Sequence, residues 1–146
     1  LLIKEQHNQL ILWACKCVVN ILPLFAKPVD KRLTNAIKIA KDWTKDIVSV
    51  GDARNASLDA IAVANELTDP IKIAVARSVV HAVATAHMAD HSLRAAEYAL
   101  KAVKLADKSI DNERKWQDKK LSPGIAELVL STRDKQKIKI HETDNE

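Results

Sequence analysis

The feature that most constrains this chain is an apolar segment, residues 70–106, centred on the sequence HAVATAHMADH. Its first half, residues 71–88, is apolar around most of a helical circumference. A helix of that kind must be enclosed by other helices, because water would otherwise contact its apolar surface. The second half, from Ser92 onward, carries its charged residues on one face only. We therefore predict a buried helix over residues 71–88, a corner at residues 89–90, and a half-exposed helix that folds back.

The remaining sequence indicates an all-α fold. A chain of 146 residues is long enough for one domain with its own core. The chain has only two glycines and few β-branched runs bounded by turn residues, which argues against a sheet. Apolar residues at helical spacing predict further helices over residues 4–22, 31–49, 53–67 and 111–121, and one that starts at Ser122-Pro123. We predict a single compact bundle of about six to seven helices over residues 1–134 around the central helix 71–88, followed by a disordered polar tail at residues 135–146.

The charge and the apolar runs exclude several classes of partner. The net charge of +4 is mild, and the dense basic patch with interleaved aromatic residues that nucleic-acid binding needs is missing. The apolar run over residues 10–25 is short for a membrane span and is interrupted by Lys16, Asn20 and Pro23. Cys15 and Cys17 would face different sides of a helix, so we expect reduced thiols. These features predict a cytoplasmic protein that binds neither nucleic acid nor membrane.

A polar stripe crosses the apolar central helix. Its members follow at three- and four-residue spacing and are Arg77, Ser78, His81 and Thr85. Because buried polar groups are costly unless they are paired, the stripe either bonds to neighbouring helices or lines a cleft that binds a ligand, for example an anion. The spacing specifies no second carboxylate and no activated nucleophile. We therefore expect a binding or structural role and not an enzyme.

His87 and His91 stand four residues apart, a spacing at which two imidazoles on one helical face can hold a metal ion. His81 and Asp90 are near enough in sequence to contribute. Against a metal site, the HExxH glutamate is missing and no further ligand is obvious downstream. Histidines at a helix corner also cap carbonyl groups, so both roles stay open and no cofactor is required.

The three tryptophans lie in apolar stripes, where core packing is the usual role. Trp43 and Trp116 are flanked by charged residues and are candidates for partly exposed anchors that contact a partner.

Several segments taken together resemble a known family. They are LWACKCVVNILPLF, PVDKRLTNAIKIAKDW, ARNASLDAIAVA, ARSVVHAVATAHMADHSLRAAEYALKAV and ERKWQ. This pattern is similar to the bacterial immunity proteins with an Imm-5-like domain, which belong to polymorphic toxin systems. The resemblance implies an all-helical cytoplasmic antidote that binds a cognate toxin and blocks it stoichiometrically, without catalytic residues.

Two hypotheses of function follow. The first is an immunity protein, whose basic character fits an acidic or neutral toxin better than a nuclease with a basic groove. The second is a small-ligand or metal-binding helical protein that uses Arg77, His81, His87 and His91. A pocket open to solvent and lined by those side chains would favour the second hypothesis.

Overall fold

A computed structural model describes the backbone of residues 2–144 and the side chains of residues 2–136. This part of the chain forms seven α-helices and one 3₁₀ segment, and it contains no strand. The α-helices are α1 (Lys4–Ile21), α2 (Lys31–Thr44), α3 (Val50–Glu66), α4 (Pro70–Ala84), α5 (His91–Leu105), α6 (Ile110–Lys119) and α7 (Pro123–Asp144), and the 3₁₀ segment is Leu22–Phe25. The predicted all-α bundle of six to seven helices is confirmed.

Helix α4 is the centre of the bundle, as predicted. It packs against α1, α2, α3, α5 and the 3₁₀ segment. Eight of its fifteen residues are buried: Ala74, Val75, Ala76, Ser78, Val79, Val80, Ala82 and Val83. Alanine and valine keep the surface of α4 shallow, so its neighbours approach closely.

Aspartate side chains cap the starts of α4 and α2. Asp69 accepts hydrogen bonds from the backbone N–H groups of Ile71 and Lys72 at the start of α4, where Pro70 occupies the first turn. Asp30 accepts one from the N–H of Arg32 at the start of α2. In both caps a carboxylate satisfies amides that lack a helical partner.

The predicted end of the second helix is wrong. Helix α2 stops at Thr44 and not near Ser49, and Ile47, which continues the apolar spacing, is 65% exposed. Asp46 adopts a left-handed backbone conformation (φ 58°) that ends the helix. Ser49 then caps α3 by accepting a hydrogen bond from the N–H of Asp52, so Gly51 lies in the first turn of α3 and does not terminate α2.

The central helix also ends earlier than predicted, at Ala84 and not at Met88. Thr85 donates its hydroxyl to the carbonyl of His81, and the next N–H groups bond three residues back, which tightens the chain into successive turns. The corner therefore spans residues 85–90 and includes the predicted corner at 89–90.

Helix α1 is apolar and long enough, with the 3₁₀ segment, to cross a membrane by length and composition alone. Half of this apolar segment is buried inside the bundle, and Trp13, Val18 and Ile21 are almost fully buried. Cys15 and Cys17 are buried, free thiols, and burial raises the pKa of Cys15 to about 12 and that of Cys17 further. Both thiols are therefore inert protonated core residues at neutral pH.

Helix α7 packs on α1 through Ile125 and Val129, both of which are 1% exposed. Its helical backbone continues to Asp144, past the predicted domain boundary at residue 134. The side chains of residues 137–144 and all of residues 145–146 lie outside the described residues, so the expected disorder of the tail at 135–146 stays a prediction.

Candidate functional site

The polar stripe of α4 divides into two environments. Ser78 and Thr85 are fully buried, and each hydroxyl donates to a backbone carbonyl: Ser78 Oγ to Ala95 at 2.7 Å, and Thr85 Oγ1 to His81 at 2.9 Å. The carbonyl of Thr85 in turn contacts the ring of His7 on α1. These two hydroxyl groups are therefore paired within the core, as buried polar groups generally are.

His81 lies half-buried on the opposite, open part of the stripe and pairs with His91 of α5. The two Nδ1 atoms are 2.9 Å apart, so one nitrogen must donate a proton that the other accepts. The imidazole of His81 also stacks on Tyr98, with ring centroids 5.3 Å apart and planes within 8° of parallel.

Several cations surround this pair. Burial first, and then the positive charges of His91, Arg94 and Arg77, lower the pKa of His81 to about 4. Burial also lowers the pKa of His91; Arg94 and His87 act in the same direction, and Asp90 opposes them. Both histidines are therefore neutral at pH 7, within a surface that is itself positive.

The predicted metal pair is arranged differently from the expectation. His87 lies exposed in the corner after α4, whereas His91 is the first residue of α5. The two residues thus do not share one helical face, and His91 turns its Nδ1 toward His81. Within the described residues, no group of three His, Cys, Asp or Glu side chains is placed to hold a metal ion.

Trp43 and Trp116 are both half-buried. Trp43 packs against the N-terminal end of α1. There, Lys4 Nζ lies 3.6 Å from the Trp43 ring centroid, and the centroid of the His7 ring lies 4.8 Å from it. Trp116 borders a groove of about 360 Å³ between α1 and α6, and Lys120 lies over its ring at 5.6 Å. Both tryptophans are partly covered by this chain's own lysines, and their proposed contact with a partner stays a prediction.

A buried polar network links four helices, and the sequence analysis missed it. Arg133 of α7 donates to Gln117 Oε1 at 2.6 Å and to Asp118 Oδ1 at 2.7 Å, and its guanidinium lies 5.2 Å from the centroid of the Trp13 ring. The side-chain Nε2 of Gln117 also donates to the backbone carbonyl of Ala96. The backbone carbonyl of Gln117 accepts a hydrogen bond from Trp13 Nε1. Arg133 and Gln117 have many charged neighbours in the sequence, so they resemble surface residues. Only their place on the same helical face as the apolar residues of their helices could have indicated burial.

Two larger surface grooves also have the volume of a small-ligand site, but neither is lined by the polar stripe. One, of about 460 Å³, lies between the start of α1, the start of α5, and α7, and is bordered by Leu10, Leu93 and Val129. The other, of about 550 Å³, is bordered by Phe25, Val29 and Val63. Arg77, His81 and His91 border neither of them.

Most of the chain matches the sequence model of a known family. Residues 1–123 match the sequence model of the family described as "Imm-5 like putative immunity protein", which covers α1 to α6. No curated protein and no solved structure matches the chain. Since the match extends over most of the sequence, this chain belongs to the Imm-5 like family of immunity proteins.

Proposed function

We propose that this protein protects its cell by binding a cognate bacterial toxin in the cytoplasm and blocking it stoichiometrically, without turnover. The observation that carries the proposal is membership of an immunity-protein family over residues 1–123. Neutralisation by occlusion needs only a rigid surface of complementary shape and charge. A bundle whose central helix packs against five neighbouring elements offers such a surface on its exposed side chains.

The second hypothesis, a ligand- or metal-binding protein, receives less support from the geometry. Two of the four polar side chains of the stripe, Ser78 and Thr85, are already bonded inside the core. A cleft that binds a small molecule normally encloses most of it, and neither described groove includes the stripe. We therefore treat the buried half of the stripe as part of the scaffold.

The test is co-expression with the toxin domain encoded beside this gene. We expect growth of cells that carry the toxin to be restored, and the two purified proteins to elute as one complex. When this protein is titrated into the toxin, the toxin's activity should fall linearly and reach zero at one equivalent of this protein. Protection by a small fraction of an equivalent would contradict occlusion, and failure to bind any neighbouring toxin domain would contradict immunity itself.

A further inference from the structure

One surface outside the core network brings together aromatic rings and cations from two helices. We call it the α4–α5 patch, and it consists of Arg77, His81, His91, Arg94 and Tyr98. His81 stacks between the other two rings, with centroid distances of 5.1 Å to His91 and 5.3 Å to Tyr98. Lys101 continues the patch, with its Nζ 5.9 Å from the Tyr98 ring centroid. The three half-buried rings lie side by side in nearly parallel planes, with positive side chains around them.

The cations of the patch are not neutralised within the molecule. Across residues 2–136, neither Arg77 nor Arg94 makes a hydrogen bond or ion pair to a carboxylate. Asp90 precedes His91 and Glu97 is exposed on α5, and neither of them forms an ion pair with these arginines. Two arginines without a carboxylate partner lie near the same histidine pair, so an added negative charge would be favourable there.

The start of α5 adds no free amides to the patch. Its first three N–H groups, from His91 to Leu93, already donate to carbonyls of the preceding corner. The preference of the patch for an anion therefore rests on its formal cations, which lie beside an aromatic surface.

The shape of the patch favours a protein partner over a small ligand. The two large grooves are lined by other residues, so the patch lies open and would leave most of a small anion in water. Arginine fits a carboxylate with two parallel hydrogen bonds, and arginine and tyrosine are enriched among the residues that dominate binding energy at interfaces. The chain's net charge of +4 acts in the same direction at long range.

We propose that the α4–α5 patch is the toxin-docking surface and that the toxin supplies carboxylate side chains to Arg77 and Arg94. This inference rests on the proposed function and adds to it the surface and the chemistry of the partner. The toxin segment that docks here is acidic, and its charge sets both the rate of association and the orientation of the complex.

The experiment measures binding of the neighbouring toxin domain to three proteins by calorimetry at two salt concentrations. The test variant is Arg77→Glu with Arg94→Glu. Its control is Lys16→Glu with Lys119→Glu, which makes the same change in net charge at exposed positions on α1 and α6. We expect the test variant to bind at least about tenfold more weakly, the control to stay within about threefold of the wild type, and the wild-type affinity to fall as salt is raised. Circular dichroism of each variant establishes that the helices are intact.

The outcomes separate the two proposals. A wild-type protein that fails to bind or protect overturns the proposed function and this inference with it. A wild-type protein that binds, together with a test variant that binds equally well, overturns the inference alone. Equal losses in the test and control variants would assign the effect to net charge and also overturn it. Binding of a DNA oligonucleotide at low salt by the wild type, lost in the test variant while toxin binding persists, would reassign the patch to nucleic acid.

Discussion

Arg133 is the only buried charged side chain among residues 2–136. A buried guanidinium is tolerated only where its charge and its N–H groups are paired, and Asp118 and Gln117 supply that pairing. Its Nε lacks a partner in the described residues, so the pairing is incomplete. The network therefore fixes how α7 sits on α6 and α1, and removing one partner should cost more than the net strength of the pair.

The substitution Arg133→Ala is expected to lower the free energy of unfolding by about 2–3 kcal/mol, because Gln117 stays buried without its donor. This loss is expected at the lower end of the range that is typical of breaking a buried ion pair, because the side chain of Asp118 is 33% exposed. Urea denaturation measures the loss. Lys135→Ala, at an exposed position on the same helix, is the control and should change stability by less than about 0.5 kcal/mol. Equal stability of the two variants would contradict a structural role for Arg133.

The stacked histidine pair makes stability depend on pH. The pKa of His81 is lowered to about 4 in the folded protein, whereas an unfolded chain has its ordinary value near 6.5. Between these values the unfolded state binds a proton that the folded state does not, so stability falls as pH is lowered from about 6.5 to about 4. His91 acts in the same direction.

The variant His81→Gln should lose that part of the pH dependence. Between about pH 6.5 and pH 4, its free energy of unfolding is expected to vary less with pH than that of the wild type. The difference between the two slopes can be at most about 1.4 kcal/mol per pH unit, which is the limit for a single proton. His87→Gln is the matched control, because His87 is exposed and makes no ring contact, and it should keep the wild-type slope. Parallel curves for wild type and His81→Gln would contradict our account of the pair.

At the scale of elements, the connection between α2 and α3 depends on one residue. Asp46 has φ 58°, a conformation that aspartate adopts with little strain and that a β-branched side chain adopts only at a cost. Its carboxylate also lies 3.6 Å from Lys4 Nζ, but this ion pair is exposed and adds little.

The substitution Asp46→Val is therefore expected to destabilise the protein by about 1–2 kcal/mol. Asp46→Gly removes the same ion pair but suits positive φ, so it should be neutral or slightly stabilising. Thermal unfolding of the two variants measures the difference. If both lost the same stability, the ion pair with Lys4 and not the backbone conformation would be responsible.

The elements differ in how well the sequence predicts them. Starts of helices were predictable at Asp30 and Asp69, because a capping oxygen acts on amides within three residues. Two ends were not. Ile47 keeps the apolar spacing past Thr44, and the alanines after Ala84 favour helix, so local propensity predicted longer helices than tertiary packing leaves. The pairing of His81 with His91 was missed for the same reason, since it depends on the corner after Ala84.

At the scale of the whole molecule, the hydrophobic core extends further along the chain than the family match does. The match ends at residue 123, where α7 begins. Yet Ile125, Val129 and Arg133 of α7 are buried against the rest of the bundle. If the matched region alone made a complete core, α7 would be dispensable; the burial of these side chains indicates instead that α7 closes the core over Trp13.

Two truncations decide between these views. A chain that ends at residue 122 loses the buried contacts of Ile125 and Val129 and leaves Gln117 without Arg133, so we expect its free energy of unfolding to fall by at least about 3 kcal/mol. A chain that ends at residue 136 keeps all of these contacts and should unfold within about 0.5 kcal/mol of the full chain. Urea denaturation followed by Trp fluorescence measures both effects, because Trp13 is buried in the folded chain and becomes exposed to water on unfolding. A chain ending at residue 122 that was as stable as the full chain would show that α1 to α6 fold as a complete domain and that α7 is an appendage on it.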